Sequence, residues 1–234
     1  MKVRLKFSKT GALVYIGHLD VMRYFQKLFR RAMIPVRYSE GFSPHQILSF
    51  TPPLPLGLES YGEYADVELT ESITSKDALS RLRAESVPEI EILSFKQLPE
   101  KAESAMASVR AAGYSVHFPD AEAMRDIEKM CTDLLLSDEV CVLKKTKKSE
   151  RMINIRPLIY KLDHDIKNSR LDMTISSGST DNIKPELVLD ALFGSCGRKD
   201  AAPSDCVISR TDQFTKVEDK LVSLDEIGSD ITNI

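Results

Sequence analysis

Tryptophan is missing from the 234 residues, histidine occurs four times, and no apolar run reaches the about 20 residues that a membrane-spanning helix needs. The N-terminal stretch MKVRLKFSKTG has no apolar core of the kind a signal peptide carries, so the expectation is a cytoplasmic protein without a membrane partner. Cys131, Cys141, Cys196 and Cys206 stand singly, without a CxxC pair, a zinc-ribbon spacing or the tight three-cysteine cluster of an iron–sulfur enzyme. They read as reduced thiols. The HExxH pattern is also lacking, and no metal or cofactor is expected. With 42% hydrophobic and 29% charged residues, the composition excludes a disordered or fibrous chain.

What is present is an uneven charge. The formal net charge is −3, yet residues 1–50 hold nine Lys or Arg against Asp20 and Glu40, a balance of +7 that leaves −10 for the rest. A partner meets the local field rather than the total, so a basic N-terminal region points to a polyanion.

Val3, Leu5 and Phe7 alternate with Lys2, Arg4 and Lys6, which predicts a strand with one buried face and one basic face in water. Residues 17–33 place Val21, Phe25, Leu28 and Ala32 on one helical stripe, opposite Asp20, Arg23, Tyr24, Lys27 and Arg31, with Pro35 marking the end. Short strands follow at 36–38 and 46–50 around the Gly41–His45 turn, then a proline-rich loop and a strand over 64–70. A helix over 75–85, capped by Ser75, and a strand over 90–95 complete a βαββαβ order. The second half repeats the rhythm: strand 105–118, helix 120–136 opened by Pro119 and Asp120, strands 139–144 and 152–160, strand 170–176, helix 184–193 and strand 206–209. The expected fold is therefore α+β, with two tandem ferredoxin-like domains at 1–98 and 105–210 and an acidic tail at 211–234.

Four groups of residues carry candidate chemistry. In IGHLDVMR, Asp20 in the first helical turn complements the helix dipole and Arg23 at i+3 can pair with it, with His18 bonding locally. The alternative is an acid–base pair of His18 with His45, and a weaker one a metal site of His18, Asp20 and His45. The larger signal is the set Arg4, Lys6, Arg23, Tyr24, Lys27, Arg30, Arg31, Arg37, Phe42 and His45, cations interleaved with aromatics (Tyr38 also) as single-stranded RNA binders use them. Lys144, Lys145, Lys147, Lys148 and Arg151 add a basic hairpin, and Arg156, set between Ile153, Ile155 and further apolar residues, needs a partner. His117 and His164 have no companions at ligand spacing.

The segments KFSKTG, IGHLDVMR, FRRAMIP, YSEGFSPH and PPLPLGLES, with INIRPLI and GSTDNIKPELVLDALFG in the second half, resemble the radical-SAM-linked domain family of uncharacterised function. That resemblance implies a companion role to a cobalamin-binding radical SAM protein, in RNA or ribosome maturation, and supplies no catalytic residues. The expected function is a non-catalytic, RNA-recognising or substrate-presenting module whose partners are RNA and a radical SAM protein. The competing expectations are a metal-independent endoribonuclease using His18 and His45, and a protein–protein adaptor.

Overall fold

The structure, a computed structural model, describes all residues except 120–121, 123, 146–149, 179–180, 196–204 and 233–234. Asp120, Lys147, Lys148 and Cys196, for which the sequence raises expectations, lie outside the described residues. In chain order the elements are β1 (Lys2–Lys9), α1 (His18–Arg31), β2 (Leu48–Phe50), β3 (Glu59–Glu68), α2 (Ser75–Glu85), β4 (Ile92–Gln97), α3 (Ala105–Ser108), β5 (Ala111–His117), α4 (Ile127–Leu136), β6 (Cys141–Lys145), β7 (Glu150–Asn154), β8 (Ile159–Asp165), β9 (Arg170–Ser176), α5 (Pro185–Ser195), β10 (Val207–Val217), β11 (Lys220–Ser223) and β12 (Ser229–Asp230). The fold is mixed α+β. Two compact units divide the chain, one of Met1–Arg110 with Arg210–Ile234, the other of Ala111–Ser209.

In the first unit β1 lies between β3 and β4, antiparallel to both, and β2 is antiparallel to the far side of β3. β12 extends the β4 edge, β10 runs beside β3, and β11 pairs with β10. Alternation sends Val3, Leu5 and Phe7 into one core with Phe25, Leu28 and Phe29 of α1 and Leu82 of α2. α1 stops before Pro35. Met33 adopts a left-handed φ of 50°, Ile34 N–H donates to Phe29 O and Met33 N–H to Arg30 O, a Schellman closure made without glycine. The cap of α2 is Thr74, whose hydroxyl accepts from Asp77 N–H at 3.1 Å, and not Ser75. Ser75 instead donates to Phe95 O and accepts from Ile231 N–H.

Two expectations are corrected in this unit. The alternate face of β1 is not in water: Arg4 is 3% exposed and bonds Asp66 through Nε at 2.7 Å and Nη2 at 3.0 Å. Asp66 also accepts from Ala105 N–H at 2.7 Å, so the turn that opens α3 covers this face. Lys6 sits 5.6 Å from the centre of the Tyr64 ring and 3.3 Å from Asp212. The segment after residue 211 is likewise no acidic tail. It forms strands, buries Leu224 against Tyr64 and Val109, and sends Ile231 into the α1–α2 core. At Gly62 of β3 a Cβ would lie 2.5 Å from Asp212 Cα, so β10 approaches closely enough to require glycine there.

In the second unit β9 lies between β5 and β8, antiparallel to each, while β6 and β7 form a separate hairpin. One core gathers Val116, Leu171 and Ile175 from the strands with Ile127, Leu134, Leu192 and Phe193 from α4 and α5. The expected strand 105–118 is a short helix followed by β5, and the strand 152–160 breaks at a 3₁₀ turn over Arg156–Leu158. Pro157 in that turn has no N–H for a ladder. Arg156 finds its partner at the C-terminal end of α4: Nε and Nη2 donate to Leu135 O at 3.0 and 2.7 Å, where the helix exposes its unpaired carbonyls.

Candidate functional site

The polar face of α1 sorts its cations by what lies beside them. Arg23 pairs with Asp20 at 3.1 Å, and both side chains are well exposed. Arg31 meets Glu85 at 3.4 Å, and Arg37 meets Glu68 at 3.7 Å. Lys27 and Arg30, both exposed, have no ion-pair or hydrogen-bond partner for their side chains among the described residues. The Tyr24 hydroxyl is committed, lying 2.9 Å from Ser86 Oγ and accepting from Val87 N–H at 3.0 Å.

Beside the second half of α1 a shallow pocket of about 180 Å³ is lined by Gln26, Arg30, Tyr38, Pro44, His45 and Gln46. The chain comes here because Tyr38 and Gln46 form an antiparallel bridge, and the turn between them swings over Gly41 at a φ of 106°. His45 is exposed, its Nδ1 lying 2.9 Å from Ser39 Oγ, which also accepts from His45 N–H at 3.1 Å. At the tip of the same turn Phe42 is wholly exposed. Gln46 is 6% exposed. Its amide nitrogen donates to Gln26 O at 3.3 Å and to the Tyr38 hydroxyl oxygen at 3.2 Å, while its Oε1 has no partner. Of the expected site residues, Arg30 and His45 line this pocket and Tyr38 joins them, while Lys27 lies one turn before Arg30 on α1 and Phe42 lies on the turn that supplies Pro44 and His45. Arg4 and Lys6 lie on the opposite face of the sheet from α1 and take no part.

His18 sits at the other end of α1. It lines a pocket of about 30 Å³ with Lys9, Thr51, Glu63 and an apolar wall, and its ring stands edge-on to Phe50 at 5.7 Å between centres. Burial holds its pKa below the ordinary histidine value, against an opposing pull from Glu63. His18 and His45 thus occupy separate pockets, and the geometry assembles no imidazole pair. No three His, Cys, Asp or Glu side chains converge as metal ligands among the described residues, so His18, Asp20 and His45 are not a ligand set.

Sequence reading missed the buried polar network behind His18. Glu63 accepts from Arg210 Nη1 at 3.0 and 3.3 Å and from Ser60 Oγ at 2.6 Å. Gln213 Nε2 donates to Thr51 Oγ1 at 3.0 Å and to Gly62 O at 2.8 Å. One signal was available: residue 9 continues the inward series 3, 5, 7, so Lys9 falls on a buried face by period alone. Cys131 is buried, and burial followed by the field of Asp163 raises its thiol pKa to about 11; Cys141 is exposed and Cys206 half-buried, and neither is disulfide-bonded. In the second unit a wider cleft of about 510 Å³ runs past Leu134, Val140, Cys141 and Leu187 with Asp133 and Asp190 at hand.

These features define an α+β protein whose first unit carries a basic, aromatic helix end and a buried ionic pocket. The chain belongs to the family described as an uncharacterized protein conserved in bacteria (DUF2344), which it matches over residues 2–185. No curated protein matches it. Among the described residues no helix is long and apolar enough to cross a membrane.

Proposed function

We propose that the protein recognises single-stranded RNA through the C-terminal half of α1 and the Tyr38–Gln46 turn. The observation that carries the reading is the coincidence, around one pocket of about 180 Å³, of an ion-pair-free Arg30, the Tyr38 ring and Gln46 with its unpartnered Oε1, and the turn that contributes Pro44 and His45 to the same lining also carries the exposed Phe42. Cations reach phosphate, an aromatic ring gives an unpaired base a stacking surface, and a lone buried acceptor rewards a base N–H. Fluorescence anisotropy with an unstructured oligoribonucleotide tests this. Binding that weakens with salt and with Phe42→Ala supports the reading, and no binding at low salt removes it.

Two further parts of the proposal rest on other supports. A ferredoxin-like assignment of the first unit is supported by its strand order, β4-β1-β3-β2 with each neighbouring pair antiparallel, around a βαββαβ chain. A companion role to a radical SAM protein in the cytoplasm is supported by the resemblance of the N-terminal motifs, and co-purification of such a protein with the tagged chain is its test.

A further inference from the structure

We propose that the pocket at the N-terminus of α1 is a binding site for the carboxylate of a small organic ligand, with Lys9 as its counter-ion. Lys9 is 4% exposed, lines the pocket, and has no hydrogen-bond or ion-pair partner for its ammonium among the described residues. A buried cation without a partner is costly, and proteins relieve that cost by supplying an anion. Glu63 is the carboxylate nearest to hand, but its oxygens are already held by Arg210 and Ser60. The pocket therefore retains an uncompensated positive charge.

The helix above it adds to the same field. α1 runs for 14 residues, Gly17 caps it with no side-chain acceptor, and its first turn borders the pocket through His18 and Val21. The N-terminal N–H groups of such a helix favour an anion. His18, half-buried, brings its imidazole to the same lining. The remaining wall is Phe7, Ile16, Phe50, Pro53 and Leu54, with the Thr51 hydroxyl already bonded to Tyr64 O and Gln213 Nε2, so it offers a carbon-bearing anion contact and offers little to the fourth oxygen of a phosphate. A volume near 30 Å³ suits one carboxyl group, with the rest of the ligand outside. Tyr15 and Leu19, exposed and next in sequence to the lining residues Ile16 and His18, offer that remainder an apolar surface.

The charged and titratable groups facing Lys9 are His18, Glu63 and Arg210. Burial holds Lys9 below the ordinary lysine value, Glu63 opposes this and Arg210 adds to it. A bound carboxylate stabilises the ammonium, so affinity is greatest where the ligand is ionised and Lys9 still protonated, and declines as pH rises towards the ordinary lysine range.

The test follows the His18 ring signals of the full chain by NMR during titration with sodium propionate, and separately with sodium phosphate, at constant ionic strength. The expected result is a saturable shift of His18 with propionate, with His45 unmoved and affinity falling as pH rises. Lys9→Met, which fills the same space without charge, should lower propionate affinity about 10- to 100-fold, the loss of one charge-assisted bond. No saturable His18 shift, or an equal affinity in a folded Lys9→Met variant, overturns the site. Phosphate binding as tight as propionate overturns the carboxylate assignment. Should Lys9→Met not fold, a pH-independent propionate affinity in the unaltered protein overturns the role of Lys9.

Discussion

Arg4 and Lys6 on the first strand and Lys27 and Arg30 on the first helix are alike in charge and opposite in fate. The strand cations are covered by the 103–110 and 211–225 segments and are held by Asp66 and Asp212. The helix cations face outward, without ion pairs among the described residues. Local charge density therefore does not reveal whether a basic residue builds the fold or meets a partner; the residues that return to cover it decide. For the strand pair that return spans 62 residues to Asp66 and more than 200 to Asp212.

The sharpest way to break the comparison is to remove a partner on the strand side. Asp66→Ala strands the Arg4 guanidinium in the interior and leaves Ala105 N–H unpaired, and should cost about 3–5 kcal/mol in urea unfolding. A loss under about 1 kcal/mol would mean that Arg4 is not a structural cation. On the helix side Phe42→Ala should leave the melt unchanged and weaken RNA binding by about 1–3 kcal/mol, the worth of one stacked base.

A smaller effect concerns His18. Its folded-state pKa is lowered, so the unfolded chain binds the extra proton, and stability is fully present above the ordinary histidine value. It should decline as pH falls below about 6.5, and His18→Gln should flatten that decline. Urea midpoints between pH 8 and 5 provide the check, and an unchanged slope in the variant would assign the decline to other groups. Smallest of all is Asp20→Ala, because its pair with Arg23 is exposed on both sides. The melt should register about 0.2–1 kcal/mol, and a larger loss would give Asp20 a role beyond the helix start.

The first unit was largely legible because its core residues follow clean periods. Val3, Leu5 and Phe7 alternate, Val21, Phe25 and Leu28 repeat at helical spacing, and α2 spans the 75–85 read from the pattern. The C-terminal strands were hidden because their inward positions are polar. Arg210 and Gln213 are 3% and 1% exposed, and burial by ion pairing and hydrogen bonding leaves no hydrophobic trace in sequence. Lys6 and Arg4 misled for the complementary reason, since a cation on alternate positions looks solvated until its carboxylate is found. The pocket by His45 was partly legible: the cations and aromatics stood out, but Gln46 joins them only through the Tyr38–Gln46 bridge.

The central claim is that Lys27 and Arg30 meet RNA phosphate while Arg4 and Lys6 hold the fold. The direct measurement is RNA affinity against salt for the unaltered protein and for Lys27→Glu combined with Arg30→Glu. The account predicts a tenfold or greater loss of affinity at low salt, a log–log slope flatter by about 1.4 for two lost single-strand contacts, and an unchanged melt. Equal affinity and equal slope in the folded double variant would contradict it.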